Sequence, residues 1–276
     1  MTPLPDMGAG LLLRALLQRP GPAARARLDA EHVWAGVDPA HLARYRAHLG
    51  FAPDAWPLSY LYLAAQRAQV ATMLQPAFGH RPAGMVHMAN TMHWVDGAPP
   101  APNRPIHLRT QVEPEPQRDD GAVHVRWRVD FTQEGRALAC CESRYLARRG
   151  VTGRRSPAQR AAAVVPDGPP VAEWRLPADA GRRYAALSGD WNPIHLWPWS
   201  ARLLGFEAPI LHGMHGAARV EAEWTRLAGR PPRSLAIEFL RPVRLPGRVA
   251  LHADPGNGGF HLVCGTELAA RGQCTR

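Results

Sequence analysis

From Val123 to Phe131 every second residue is large and apolar: Val123, Val125, Trp127, Val129 and Phe131. Successive side chains of a strand point to opposite faces, so this run predicts a half-buried β-strand and cannot serve as one face of a helix. Comparable runs stand at 85–95, 105–114 and 136–147, and a helical pattern from Leu58 to Leu74 precedes them. Half-buried strands in series form an antiparallel sheet whose apolar face has to be covered, and the long helix is the element available to cover it. The chain then repeats this plan. LPADAGRRYAALSG predicts a helix starting at Pro177, a second helix runs from about Leu211 to Gly229, and SLAIEFLRPV, GRVALHA and GFHLVCGTELAA follow as strands. The layout predicts an α+β protein of two units, residues 1–150 and 171–276. A linker is expected at 151–170, where Gly, Pro, Ala and Arg occur without a sustained apolar period.

Composition limits the classes of function. The chain has 276 residues, 46% of them hydrophobic, enough for a real core. Its formal charge is +10 and all 33 basic residues are arginine, because the sequence contains no lysine. One reading of the charge is compositional drift; the other is attraction to a phosphorylated ligand or an acidic partner. Nucleic acid ranks last as a partner, since there is no zinc-finger spacing and no basic strip interleaved with aromatics. Cys140, Cys141, Cys264 and Cys274 lack metal-ligand spacing, and Cys140 and Cys141 adjoin on a strand and so point to opposite faces. Free thiols in a reducing cytoplasm are expected. LLLRALLQ at 11–18 carries Arg14 and lacks a basic leader, so it does not read as a secretory signal. Gln66, Arg67 and Gln69 interrupt the longest apolar stretch, so no membrane span is expected.

Two short segments carry the chemistry. SGDWNPIH, Ser188 to His195, places a carboxylate, an amide and an imidazole within eight residues. On one helix Asp190 and His195 would stand about 140° apart, but Pro193 disfavours helical angles at Asn192 and turns the chain. A turn can bring Asp190 and His195 to one water molecule, where both can exchange protons with it. An ordinary Asx turn with a helix cap accounts for the octet equally well. The second segment is LHGMHG, 211–216, with Gly213 at the expected start of a helix whose free N–H groups favour negative charge. Taken locally, His212 and His215 read as polar residues at a helix end and Gly213 as a packing glycine.

Together these segments resemble the MaoC-like hydratases and dehydratases, the (R)-specific enoyl-thioester hydratases of hot-dog fold. The matching residues are YAALSGDWNPIHLWPWSARLLGF, Tyr184 to Phe206, and ILHGM, Ile210 to Met214. WPLSYLYLAAQRAQVATML followed by GMVHMANTMHW resembles the N-terminal repeat of two-domain acyl dehydratases, although that half has no D-x-N-P-x-H and no HGM. The resemblance implies a double hot-dog fold with a non-catalytic N-terminal repeat packed on a catalytic C-terminal one. It implies Asp190 and His195 as the catalytic dyad, the Gly213 N–H in an oxyanion hole, and Asn192 and Ser188 in support. His212 and Met214 of the same motif are expected as substrate contacts, and Arg241 and Arg244 as contacts to phosphate. The implied reaction is reversible hydration of trans-2-enoyl thioesters to (3R)-3-hydroxyacyl thioesters in fatty-acid metabolism. No metal or cofactor is needed beyond the coenzyme A or phosphopantetheine of the substrate, and acyl-CoA or an acyl carrier protein is the partner. A hot-dog acyl thioesterase and a non-catalytic acyl-thioester binding protein are the alternatives. Homodimerisation and the roles of Trp191, Trp197 and Trp199 stay open.

Overall fold

The computed structural model describes residues 1–19, 27–95, 99–117, 119, 121–148 and 166–276. They fall into two compact units, one of Met1–Asp38 with Leu61–Ala162 and the other of Pro39–Tyr60 with Ala163–Arg276. The expected linker at 151–170 lies outside the described residues up to 165; residues 166–170 run without helix or strand into the next element.

The elements of the N-terminal unit are β1 (Thr2–Pro3), α1 (Ala9–Leu17), β2 (Leu28–Trp34), the greater part of α3, then β3 (Val86–Trp94), β4 (Ile106–Pro114), β5 (Val123–Gln133) and β6 (Arg136–Arg148). Helix α2 (Pro39–Leu49) and the first turn of α3 (Leu58–Met73) belong to the other unit. The sheet order is β1-β2-β4-β5-β6-β3, antiparallel apart from the short β1–β2 pair. The period-two run of β5 turns Val125, Trp127, Val129 and Phe131 inward, all of them buried. Met73 from the end of α3 joins Phe78, Val112, Val125, Trp127 and Tyr145 in one apolar cluster. The helix thus lies on the sheet, as the hot-dog arrangement requires.

In the C-terminal unit the chain continues as β7 (Ala172–Leu176), α4 (Ala180–Ser188), a 3₁₀ turn at Pro193–His195, α5 (Pro198–Leu203) and α6 (Gly213–Ala228). Strands β8 (Ser234–Phe239), β9 (Gly247–Ala253), β10 (Gly259–Cys264) and β11 (Glu267–Thr275) complete it, in the antiparallel order β8-β11-β10-β9-β7. Helix α6 buries Met214, Ala217, Ala218, Val220 and Trp224. It approaches the sheet so closely that a methyl group at Gly216 would meet Leu262 of β10 at 3.2 Å. Pro39–Tyr60, which the sequence reading places within 1–150, belongs here for a visible reason. Glu221 of α6 accepts hydrogen bonds from the Leu58 and Ser59 N–H groups (2.5 and 2.9 Å), capping the first turn of α3 from within this unit.

Helix α4 begins at Ala180, three residues after the expected start, because Pro177 opens a turn that closes with the Ala180 N–H on the Pro177 carbonyl at 3.0 Å. Cys140, Cys141 and Cys274 are buried free thiols. Burial raises the Cys141 thiol to about 12 and takes Cys140 higher still, which keeps both uncharged. No helix among the described residues is long and apolar enough to cross a membrane.

Candidate active site

Helix α4 ends at Ser188 because Gly189 takes the left-handed conformation (φ 76°) and returns its N–H to the Ala185 carbonyl. A chain of side chain–backbone bonds then shapes the turn. Ser188 Oγ accepts the Asp190 N–H (3.2 Å), Asp190 Oδ1 accepts the Asn192 N–H (3.2 Å), and Asn192 Oδ1 accepts the Ile194 N–H (3.3 Å). Pro193 opens the 3₁₀ turn, which ends on His195. The turn chemistry and the acid–base chemistry read from the octet are carried by the same residues. Ser200 Oγ donates to the Pro193 carbonyl at 2.7 Å and fixes the turn from α5.

The His195 ring is buried, and its Nδ1 lies 2.7 Å from the Ile210 carbonyl oxygen. A carbonyl only accepts, so Nδ1 carries the proton and Nε2 of the neutral ring is a bare base. Ile210 is itself braced: its N–H donates to the Ile194 carbonyl (3.1 Å), the Leu211 N–H donates to the Val243 carbonyl and the Leu245 N–H to the Pro209 carbonyl (both 2.8 Å). His212, the residue before α6, stacks on His195 with ring centroids 3.6 Å apart and planes inclined by 26°. Its Nε2 donates to the Asp190 backbone carbonyl at 2.9 Å. The Tyr184 ring of α4 packs on His212 at a tilt of 57°, with ring centroids 5.0 Å apart. Burial holds His195, His212 and His215 below the ordinary imidazole value, His215 at about 3, and the neighbouring His212 lowers His195 further.

Donor atoms of Asp190, His195 and His212 lie within 4.8 Å of one another. That is near enough for a divalent ion, but the proton positions do not suit one. The His212 nitrogen 3.9 Å from Asp190 Oδ2 is Nε2, which carries the hydrogen given to the Asp190 carbonyl. The set suits proton transfer between a carboxylate and a bare imidazole nitrogen. Gly213 is the first residue of α6, so its N–H has no acceptor within its own helix. The Phe239 ring packs against Gly213 so closely that an added Cβ would lie 2.7 Å from it, so no side chain fits there unless that ring moves.

The structure therefore gathers Ser188, Asp190, Asn192, His195 and His212 into one turn-and-helix corner, with Gly213 next in the chain to His212. Met214 is buried in the first turn of α6. Arg241 and Arg244 lie in exposed ion pairs with Glu267 (2.6 Å) and Glu207 (2.8 Å). Trp191, Trp197 and Trp199 are exposed, and the Arg182 guanidinium stacks on Trp197 at 3.8 Å. Two supports escape the sequence reading. His41 of α2 bridges the Tyr60 hydroxyl and the Leu187 carbonyl, both at 2.9 Å, tying down the end of α4 from 146 residues away. Gly181 allows the His195 carbonyl to rest against α4, where any side chain would collide with it.

The MaoC like domain family matches residues 159–257, a span that contains this whole corner. The 3-hydroxyacyl-thioester dehydratase X of Mycobacterium tuberculosis is 29% identical over 230 residues, 82% of this chain and 80% of that one. The crystal structure of HtdX from the same organism superimposes with a TM-score of 0.72 at 24% identity, covering 91% of this chain and 99% of that one. A MaoC-like dehydratase of Phytophthora capsici gives 0.68 at 19% identity, covering 92% and 97%. These two structural likenesses speak for the fold. A hot-dog fold with an Asp-x-Asn-Pro-x-His turn beside a helix-initial His-Gly-Met defines a class, and residues 159–257 of this chain are a match to its MaoC like domain.

Proposed function

We propose that the protein adds water reversibly across the double bond of a trans-2-enoyl thioester in fatty-acid metabolism, giving the (3R)-3-hydroxyacyl thioester. The observation that carries this reading is the tautomer of His195. With Nδ1–H given to Ile210, a neutral imidazole presents a bare Nε2 in the same corner as the Asp190 carboxylate. A water held between the two loses a proton to His195 as its oxygen bonds to the β-carbon. The electron pair of the double bond moves toward the thioester oxygen, whose growing negative charge meets the Gly213 N–H and the positive end of α6. The proton passes back through the dyad to the α-carbon, and both groups end as they began.

No metal or redox group enters these steps, because a carbon beside a thioester is already acidic enough for local stabilisation to suffice. The thioester carrier is coenzyme A or an acyl carrier protein, and the expected compartment is the cytoplasm. The test is loss of the conjugated enoyl-thioester absorbance with short and long trans-2-enoyl-CoA, run beside Asp190→Asn and His195→Ala. General acid–base help is worth about 10²–10⁴-fold, so each variant should lose at least that much turnover. A variant that keeps a near-normal rate would remove the dyad. Release of free thiol without hydration would turn the reading to a thioesterase.

A further inference from the structure

We infer that His212 is a positioning residue that holds the dyad together by fixing the Asp190 backbone with one ring nitrogen and backing the His195 ring with its face. This rests on the hydratase reading of the same corner.

Three contacts converge on the one ring. Its Nε2–H reaches the Asp190 carbonyl at 2.9 Å, across 22 residues of chain, so the loop bearing the carboxylate is pinned to the start of α6. Its ring centroid lies 3.6 Å from that of His195, with the planes inclined by 26°, so the base cannot tilt freely. The Tyr184 ring packs on His212 as well, at 5.0 Å between centroids. His212 is also the residue before Gly213 and the N-cap of α6. One side chain thereby sets the distance between acid, base and the helix-initial N–H, three groups that must register on a single substrate.

The remaining nitrogen shows how the ring is kept in this role. His212 Nδ1 is buried without a hydrogen-bond partner. A proton placed there would be a buried N–H without an acceptor, on a ring stacked directly on a second imidazole. The ring is therefore confined to its neutral Nε2–H form, the only form that both donates to Asp190 and leaves His195 neutral. Orienting hydrogen bonds of this kind are worth about 10–100-fold when a neighbouring functional group depends on them.

Two substitutions separate the contacts. His212→Phe keeps a flat buried ring under His195 and removes the donor; His212→Gln keeps a donor near the Nε2 position and removes the ring. In enoyl-CoA hydration, His212→Phe should lower kcat by about 10–100-fold with KM roughly unchanged, and His212→Gln should recover part of that loss, the remainder reporting the missing ring behind His195. Both should unfold cooperatively near the wild-type temperature. Full kcat in His212→Phe, or an equal fall in both variants, would overturn the assignment. A readout independent of turnover is the ring ¹⁵N spectrum of histidine-labelled wild-type protein near pH 7, with the His212 signals identified by their loss in the variants. His195 should be protonated at Nδ1 and His212 at Nε2. A charged His212, or one protonated at Nδ1, would overturn the proposal even if the enzyme is active. Wild-type protein inert toward enoyl thioesters would instead sink the hydratase reading and leave the spectrum to decide on His212.

Discussion

Buried polar atoms without a partner occur in both units, at His32 Nδ1, Thr110 Oγ1 and Trp127 Nε1 of one and at His212 Nδ1, His215 Nδ1 and Trp224 Nε1 of the other, and what differs is how each unit arranges its polar side chains. In the N-terminal unit, Gln69 of α3 and Asn90 of β3 both donate to Ser143 Oγ of β6 (3.0 and 2.9 Å), and the Tyr145 hydroxyl donates to Gln69 Oε1 (3.1 Å). Helix and sheet are locked by a network whose members satisfy one another. In the C-terminal unit, the histidines at the start of α6 are buried with nitrogens left over: His212 Nδ1 and His215 Nδ1 have no partner. A bare buried nitrogen costs stability, and a fold that keeps such groups in a cluster does so where chemistry needs unsatisfied atoms. Two similar layouts thus differ in kind: one is tied by a side-chain network closed on itself, and the other gathers partnerless imidazole nitrogens beside the Asp190–His195 corner.

The sharpest way to break this comparison is to remove the charge at the Asp190–His195 corner. Asp190→Asn keeps the shape of the turn, and its Oδ1 can still accept the Asn192 N–H. Turnover should fall by about 10²–10⁴-fold while the melting temperature holds or rises. A parallel loss of activity and stability would show that Asp190 is a structural cap only. The next effect is on pH. His195, His212 and His215 bind protons less readily when folded than in the unfolded chain, where imidazoles titrate near 6.5. The unfolded state therefore gains protons first as pH falls, and the stability these groups contribute is complete above about 6.5 and is lost below it. Glu221 works the other way, because burial raises it to about 7 and its contribution falls as pH rises from about 4.5 to 7. Three depressed imidazoles against one raised carboxyl leave stability falling as pH drops from 7.5 to 5.5. Urea unfolding at pH 7.5 and 5.5 measures it, and equal midpoints would mean that the three histidines are not buried neutral.

What could be read in advance follows from how local the physics is. The turn at Ser188–His195 is built by residues bonding two positions along, so its acid, amide and base were visible as a unit. The strands of the N-terminal sheet announced themselves through period-two apolar residues and match β3 to β6 closely. GFHLVCGTELAA read as one run but holds two strands, because Gly265 turns the chain with φ 62° between β10 and β11. Helix α2 was overlooked although Leu42, Tyr45 and Leu49 fall on one face. Its role was beyond reading, since His41 finds Leu187 only after folding. Arg241 and Arg244 stand out because arginine pairs with phosphate and both follow a strand expected near the site, and neither ground reveals the glutamates that pair with them. The second nitrogen of His212 was equally hidden, because whether a buried ring is satisfied depends on contacts that no spacing encodes.

Two smaller substitutions sharpen the contrast from either side. Gly181→Ala drives a methyl group into the His195 carbonyl, so either α4 or the 3₁₀ turn must move. Overpacking of this kind costs about 1–3 kcal/mol, and a shift of roughly 1 Å at the base can cost about 10²-fold in rate. Stability and kcat should fall together, with KM nearly constant for a substrate bound elsewhere along its length. Ser143→Ala in the closed network should act differently. It deprives the Gln69 amide of its acceptor, while Asn90 keeps a contact to Cys141 Sγ at 3.4 Å. The cost belongs at the low end of about 1–3 kcal/mol, since one buried donor rather than two is left without a partner. Measured by urea unfolding beside initial rates, Ser143→Ala should lose stability and keep kcat/KM. If kcat/KM falls as well, the N-terminal network takes part in catalysis, and the division between a structural network and a catalytic corner is wrong.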